Sequence, residues 1–488
     1  MVIESLKYKI LQQFGFAPTQ EQGQALDTFV SFLTDRDPQA VMILRGSAGT
    51  GKTSLSGAIV RTLLQIRQKV MLLAPTGRAA KVFSLGSGAP AYTIHRRIYR
   101  EKAFAGVDGQ FSLNDNLYTD TLFMVDEASM IANMGLGGTT FGSGCLLDDL
   151  VKFVYQGHND RLLLIGDKAQ LPPVGEEESP ALSASVMEGY GLKVYECDLN
   201  EVLRQSQSSG ILYNATLIRQ MITHDAVTGL PLIRFKGFAD IVMMPGAELV
   251  ESLGDSYHHV GMDETMVITR SNKRANIYNN GIRNMVLDRE EELSSGDMLM
   301  IVKNNYFWTE KEKKESGEES AGAVPAFLAN GDRAKVLRVS NYIELYGFRF
   351  ATLLLQFPDY DDYEMQVTGM LDTLQSEAPA LTHEQQEELF RQVEEDYQHF
   401  VPLKADRMKS IRQDAYFNAL QIKYAYAVTC HKAQGGQWAH VYVDQGYMTD
   451  DMLTPDYIHW LYTAFTRATD KLFLVNWSKE QTCEPTDL

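Results

Sequence analysis

Cysteine is scarce in this sequence, and the four present (Cys145, Cys197, Cys430 and Cys483) lie far apart with no CxxC pair. That spacing supports neither a zinc site nor a disulfide framework and fits a reducing compartment. No run of 18 or more apolar residues exists, which argues against a membrane-spanning helix. The first residues, MVIESLKYKI, place Glu4, Lys7 and Lys9 where a secretory signal would need an apolar core, so a cytoplasmic protein without membrane contact is expected. Positive charge is also short: 45 Lys and Arg against 63 Asp and Glu give a net charge of −18. Such a balance excludes nonspecific coating of nucleic acid, but leaves room for a locally basic channel. Neither a repeat of fixed short period nor a nuclease-like cluster of carboxylates is visible.

What is present is a long, ordinary globular composition. The 488 residues, 44% hydrophobic and 22% charged, suggest two to four domains. Residues 19–33 have the apolar spacing of an amphipathic helix. The run AVMILRG (40–46) reads as a buried strand, TSLSGAIVRTLLQIRQ (53–68) as a helix and KVMLLAPT (69–76) as a strand again. TLFMVDEA (121–128) and RLLLIGDKAQ (161–170) repeat the arrangement of apolar strand followed by polar residues. The expected fold class is α/β, with doubly wound parallel sheets and ligands at the strands' carboxyl ends. TMVITRSN (265–272), HVYVDQG (440–446) and LFLVNW (472–477) predict a second α/β domain, interrupted by an insert near 332–420. That insert begins with alternating strand-like text and ends in an acidic helical stretch, and residues 359–398 hold much of the excess acid.

The strongest chemical signal is GSAGTGKT, residues 46–53. Gly46, Gly51, Lys52 and Thr53 fit the pattern of a phosphate loop, whose backbone N–H groups, here from Ser47, Ala48, Gly49 and Thr50 as well, close round phosphates at a helix N-terminus. Lys52 is placed to reach the β- and γ-phosphates and the Thr53 hydroxyl to ligate Mg²⁺, so ATP and Mg²⁺ are the expected cofactors. Asp126 and Glu127 end the strand FMVDE, where one carboxylate can hold the metal (Asp126) and the next polarise an attacking water (Glu127). Asp167 and Gln170, in GDKAQLPPVG, stand at another strand end, suited to sensing the γ-phosphate; a plain proline-containing turn is the alternative. Arg204 and Arg467 are candidates for neutralising charge in phosphoryl transfer, although an isolated arginine is usually a solvated or ion-paired group.

Taken in order, these segments resemble the superfamily 1B helicases of the RecD and Dda branch. PTQEQGQAL resembles the glutamine motif, LAPTGRAAKV motif Ia, TIHRRIY motif Ib, VDEASM motif II, GDKAQLPPVG motif III, LNEVLRQ motif IV, TCHKAQGGQW motif V and YTAFTRA motif VI. Together they run from about residue 19 to 476, and Leu171-Pro172-Pro173 stands where the 1A branch carries an aromatic. The resemblance implies two RecA-like domains with a small SH3-like β insert, sharing one ATP. Under it, Gln22 reads adenine, Gly435 joins the nucleotide-binding set, and Arg204 and Arg467 act as arginine fingers. Thr76, His95, Thr429, His431, Lys432 and Gln434 fall where the family contacts a nucleic-acid strand or couples it to ATP.

The implied activity is ATP-dependent 5′–3′ movement on single-stranded DNA with unwinding of forked duplexes. The implied domains are 1–200, 201–331, the insert 332–420 and 421–488, with residues 97–118 as a short duplex-splitting pin. In that pin Phe104 and Phe111 flank a DG turn, as wedge residues or as a plain hairpin core. The short pin also allows a translocase that strips proteins without unwinding. The acidic insert, whose charge run suits a solvated helix face, also allows an ATP-gated module docking to a repair or replication partner.

Overall fold

The computed structural model describes residues 2–105, 108–135, 142–201, 208–223, 229–320, 324–325 and 327–483. The chain divides into two compact units, Met1–Met244 with Ala433–Leu488, and Pro245–Lys432. Arg204, in the expected motif IV, lies outside the described residues, as does the Phe104 side chain.

In the first unit the apolar runs become strands β1 (Ala40–Gly46), β2 (Lys69–Ala74) and β3 (Ala91–Thr93), then a hairpin of β4 (Tyr99–Ala105) and β5 (Asp108–Leu113), then β6 (Thr121–Val125), β7 (Arg161–Gly166) and β8 (Lys193–Leu199). Among the described residues, β3-β2-β6-β7-β1-β8 form one parallel sheet in that order. Strand side chains alternate between faces, and both faces are covered. Met42, Leu44, Met124, Leu163 and Ile165 join the helices Val2–Phe14, Gln20–Leu33 and Lys52–Gln65 in one core. Val41, Ile43, Phe123, Val125, Leu162 and Leu164 pack with the helix Leu146–Gln156 in the other. Burial on both sides is why these strands read as continuous apolar runs rather than alternating ones.

The same unit holds a second parallel set, Ile241–Met244, Ala468–Val475 and Trp438–Asp444. The helix Pro455–Phe465 connects the last two, its first turn capped by Thr454 and opened by Pro455. The β4–β5 hairpin pairs antiparallel from Tyr99↔Leu113 to Ala105↔Asp108. Phe111 packs against the sheet core.

In the second unit, Thr265–Thr269 pairs in parallel with Ala427–Thr429. Met298–Ile301, Arg333–Leu345, Phe348–Phe357, Tyr363–Met370 and Leu420–Tyr424 close a small barrel. The barrel takes in a strand on either side of the 332–420 insert. The acidic helix His383–Gln398 starts on a Thr382–Gln385 capping box and buries Leu389 and Val393 against Phe348, Phe350 and Ile411. Glu384, Glu387 and Glu395 remain exposed on its other side. The expected α/β class with parallel strand sets and a β barrel is therefore the observed one. No helix among the described residues is long and apolar enough to cross a membrane.

Candidate nucleotide site

The carboxyl ends of β1, β6 and β7 carry the predicted residues. After β1 the chain turns through Gly49 (φ 78°) and Gly51 (φ 79°), left-handed conformations that glycine adopts without a Cβ clash. Gly46 is constrained by space: a Cβ there would lie 2.9 Å from Lys52 Cγ and Thr50 Oγ1. The loop is tightened by Thr50 Oγ1 donating to the Ser47 carbonyl at 2.8 Å. Lys52 Nζ folds back on it, donating to the Ser47 carbonyl at 3.0 Å and to the Gly46 carbonyl. The left-handed glycines, the crowded Gly46 and a lysine held over the loop fit a cradle that takes phosphates on backbone N–H groups, with Thr53 in the first turn of the following helix.

Gln22 supports this loop directly. Its Nε2 donates to the Thr50 carbonyl at 2.9 Å, and its Oε1 accepts from Thr19 N–H at 3.0 Å. The side chain is 1% exposed. One Nε2 hydrogen and one Oε1 lone pair remain beyond these two bonds.

At the end of β6, Asp126 Oδ1 accepts from Glu127 N–H at 2.9 Å. Burial pushes the Asp126 carboxyl well up from the usual carboxylate range, the neighbouring Glu127 adds to that, and Lys52 works against it. A half-buried carboxylate so placed gains from a cation, which fits Mg²⁺ held by Asp126 and Thr53. Glu127 has φ 52°, an uncommon conformation for a non-glycine residue and one that concentrates at functional positions.

Gln170, after β7, is 7% exposed. The amide orientation that satisfies its neighbours has the nitrogen donating to Glu127 Oε2 and the oxygen accepting from Arg467 Nη2, both at 3.2 Å. Arg467 is 2% exposed and is further fixed by Nε on the Thr463 carbonyl (3.1 Å) and Nη1 on the Gly436 carbonyl (3.1 Å). Glu127, Gln170 and Arg467 thus form one line, an acid and an arginine joined through an amide.

Three residues at this site escaped the sequence reading. Tyr462 OH accepts from Ala48 N–H at 3.0 Å and donates to Asp167 Oδ2 at 2.7 Å. Arg219, on the helix Gly210–Thr223, donates to Ser47 Oγ. His459 places Nδ1 3.0 Å from the Ala169 carbonyl. Tyr462 opens the motif VI string YTAFTRA without a role assigned to it there, His459 lies three residues before it, and Arg219 is a lone arginine on an apolar helix.

The expected strand-contacting residues are divided between the two units. Thr76 caps the helix Gly77–Ser87, its Oγ1 accepting from Ala79 N–H at 3.2 Å. Gly435 (φ 74°) lies against Thr76 and Ala79, where a Cβ would meet Thr76 Oγ1 at 2.9 Å. Gln434 Nε2 donates to the Leu171 carbonyl at 2.7 Å. His95 has its ring 5.6 Å from Tyr99, and burial pushes it down to about 4, so it is neutral at physiological pH. In the second unit Thr429 ends a paired strand and His431 is exposed. Burial pushes the Lys432 ammonium down to about 8.

A cradle of this kind at the end of a parallel strand, with an acid, an amide and an arginine aligned beside it, defines a P-loop nucleotide-binding protein of the motor type. The AAA domain family matches residues 17–229, and the UvrD-like helicase C-terminal domain matches residues 424–475. The chain is 30% identical over 157 residues to the ATP-dependent RecD2 DNA helicase of Deinococcus radiodurans, covering 32% of this chain and 18% of that protein. It is 25% identical over 267 residues to the ATP-dependent DNA helicase dda of Enterobacteria phage T4, covering 53% and 55%. Protein R530 of Acanthamoeba polyphaga mimivirus is 22% identical over 508 residues, covering 90% and 96%. The chain thus spans less than two thirds of the length of both named helicases. Among solved structures, a Bacteroides Pif1 helicase in complex with ADP-AlF3 and single-stranded DNA aligns at 13% identity and TM-score 0.46, over 96% of this chain and 95% of that one. Over these segments the chain is similar to superfamily 1B helicases of the RecD and Dda type.

Proposed function

We propose that this protein is an ATP-dependent DNA helicase that moves 5′ to 3′ on single-stranded DNA and separates forked duplexes. The observation that carries the reading is the Glu127–Gln170–Arg467 line beside the glycine loop. It supplies, in one place, a carboxylate able to take a proton from water, an amide able to orient that water and a buried cation for the charge that develops in phosphoryl transfer. Lys52 and the loop N–H groups bind the triphosphate. Mg²⁺, held by Asp126 and Thr53, supplies the charge that offsets the β- and γ-phosphates. Thr76, His95, Gln434 and the Thr429–Lys432 segment are assigned to the strand or to its coupling with ATP, and Arg204 to a second arginine finger. Segments 1–200 and 201–331 with 421–488 are assigned to the two motor domains and 332–420 to an SH3-like insert.

ATPase activity of the purified protein tests this directly. Turnover rises strongly with single-stranded DNA, and Lys52→Ala lowers it by about 10²-fold or more. Turnover indifferent to nucleic acid would refute the motor. Unwinding of 5′-tailed but not 3′-tailed forks checks the direction, and exclusive activity on the 3′ tail overturns it.

One observation favours a second reading. Phe111 packs against the sheet core instead of projecting as a wedge. A translocase that strips proteins without splitting duplexes predicts tail-stimulated ATPase with no strand release from the same fork.

A further inference from the structure

A P-loop binds phosphate through its backbone N–H groups, so whatever else holds those groups bears on nucleotide binding. Here the Ala48 N–H is held by a side chain. Tyr462 OH accepts from it at 3.0 Å while donating its own proton to Asp167 Oδ2 at 2.7 Å. The phenol is 1% exposed, and burial raises its pKa further above the ordinary tyrosine value. The oxygen therefore stays protonated and can serve both partners at once.

Tyr462 does not act alone on its helix. His459, Tyr462 and Thr463 fall on one face of Pro455–Phe465, three to four residues apart. His459 meets the Ala169 carbonyl, Tyr462 meets Asp167, and Thr463 Oγ1 accepts from Leu171 N–H at 2.8 Å. One helix face thus grips the whole turn 167–171, which also carries Gln170. Arg467 follows two residues after the helix and reaches the same glutamine. Of these contacts, only the one from Tyr462 extends to the glycine loop.

We propose that Tyr462 is a nucleotide-responsive latch, a positioning residue whose hydroxyl competes with a nucleotide phosphate for the Ala48 N–H. Binding of a nucleoside di- or triphosphate takes that N–H and leaves the phenol bonded to Asp167 alone. The helix Pro455–Phe465 then loses its tie to the loop while keeping its grip on the 167–171 turn. Occupancy of the cradle is thereby reported to Gln170 and Arg467 by a bond that breaks, in addition to any that phosphate makes. This rests on the nucleotide reading above, and it adds a residue and a sign to it.

The sign makes it testable. A competing hydrogen bond of ordinary net strength weakens phosphate binding by about 2- to 10-fold. Tyr462→Phe keeps the ring and removes the competitor. Titration of the full-length protein with a fluorescent ATP analogue and with ADP, each with Mg²⁺, should show the variant binding about 2- to 10-fold tighter than wild type. Its KM for ATP should fall, and its kcat with single-stranded DNA should fall too, because the report to the turn is lost. A purely structural tyrosine predicts equal or weaker binding, and that result in a variant with native circular dichroism overturns the latch. Should Tyr462→Phe not fold, Asp167→Asn weakens the phenol's other anchor, and tighter binding is again expected, with unchanged or weaker binding overturning the proposal. Lys52→Ala, titrated alongside, separates the two readings. If wild type itself binds no nucleotide, the ATP reading fails. If wild type binds, Lys52→Ala does not and Tyr462→Phe matches wild type, only the latch fails.

Discussion

Two carboxylates, one in each unit, are treated in opposite ways by their surroundings. Asp297, at the entrance to the barrel, is fully buried, and protein donors surround it. Arg283 reaches both oxygens at 3.0 and 3.1 Å, Arg289 Nη1 donates at 2.6 Å, Ser294 N–H at 2.7 Å and Tyr426 OH at 2.7 Å. Asp126, at the end of β6, has Glu127 N–H on one oxygen and a second carboxylate beside it, with Lys52 as the opposing charge. The first arrangement is closed: the protein satisfies its own charge and holds a loop. The second has capacity left over, which a divalent ion and its phosphates can use. The two carboxylates thus differ in the number of donors that the fold commits to each, and Asp126 is also the less buried of the two.

That contrast breaks most visibly on removal of the proposed general base. Glu127→Gln keeps the size of the side chain and its bond to Gln170, but cannot take a proton. ATP turnover should fall by about 10²–10⁴-fold with nucleotide affinity retained, as measured by steady-state ATPase and equilibrium titration. Retained turnover would move the general base elsewhere. Asp297→Ala attacks the other side. It leaves Arg283 and Arg289 without their carboxylate in a buried place, a change that costs about 3–5 kcal/mol. Urea unfolding of the intact protein should show that loss. A loss under 1 kcal/mol would mean that the Asp297 network does not hold the barrel.

The unequal legibility of these sites in the sequence has the same physical origin. Phosphate chemistry restricts residue types at fixed spacing, so Gly46, Lys52, Thr53, Asp126 and Glu127 could be read directly, and the parallel strands carrying them appeared as apolar runs. Gln170 and Arg467 were read as candidates, but that they meet depends on a side-chain bond that no spacing encodes. Tyr462 and Arg219 were missed because a tyrosine on an apolar helix and a lone arginine each look like ordinary packing until the glycine loop is placed beside them. The barrel was visible only as alternation in 332–357, since strand Met298–Ile301 is four residues long and far from its partner Leu420–Tyr424 in sequence. Asp297 left no trace, because Arg283, Ser294 and Tyr426 converge through tertiary folding alone.

Asp332 lies between the two extremes and gives the finest test of the contrast. It is 1% exposed; Oδ2 accepts from Ala329 N–H and Tyr360 OH, both at 2.7 Å, while Oδ1 has no hydrogen-bond partner. Burial pushes this carboxyl up to about 7, against the two hydrogen bonds and with Asp359 adding repulsion. With only two donors to it among the described residues, it is expected to be neutral in the folded protein below that value. The unfolded chain ionises near pH 4, so between about pH 4 and 7 the folded state binds the extra proton. Stability from this group is then fully present below about pH 4, falls between about pH 4 and 7, and is gone above that. Asp332→Asn keeps an oxygen for Ala329 and Tyr360 and cannot ionise. It should match wild type near pH 4 and exceed it by about 1–3 kcal/mol at pH 8, as read by urea unfolding at both values. Parallel pH profiles for the two proteins would show that Asp332 is ionised and satisfied like Asp297, and would remove it from the middle ground.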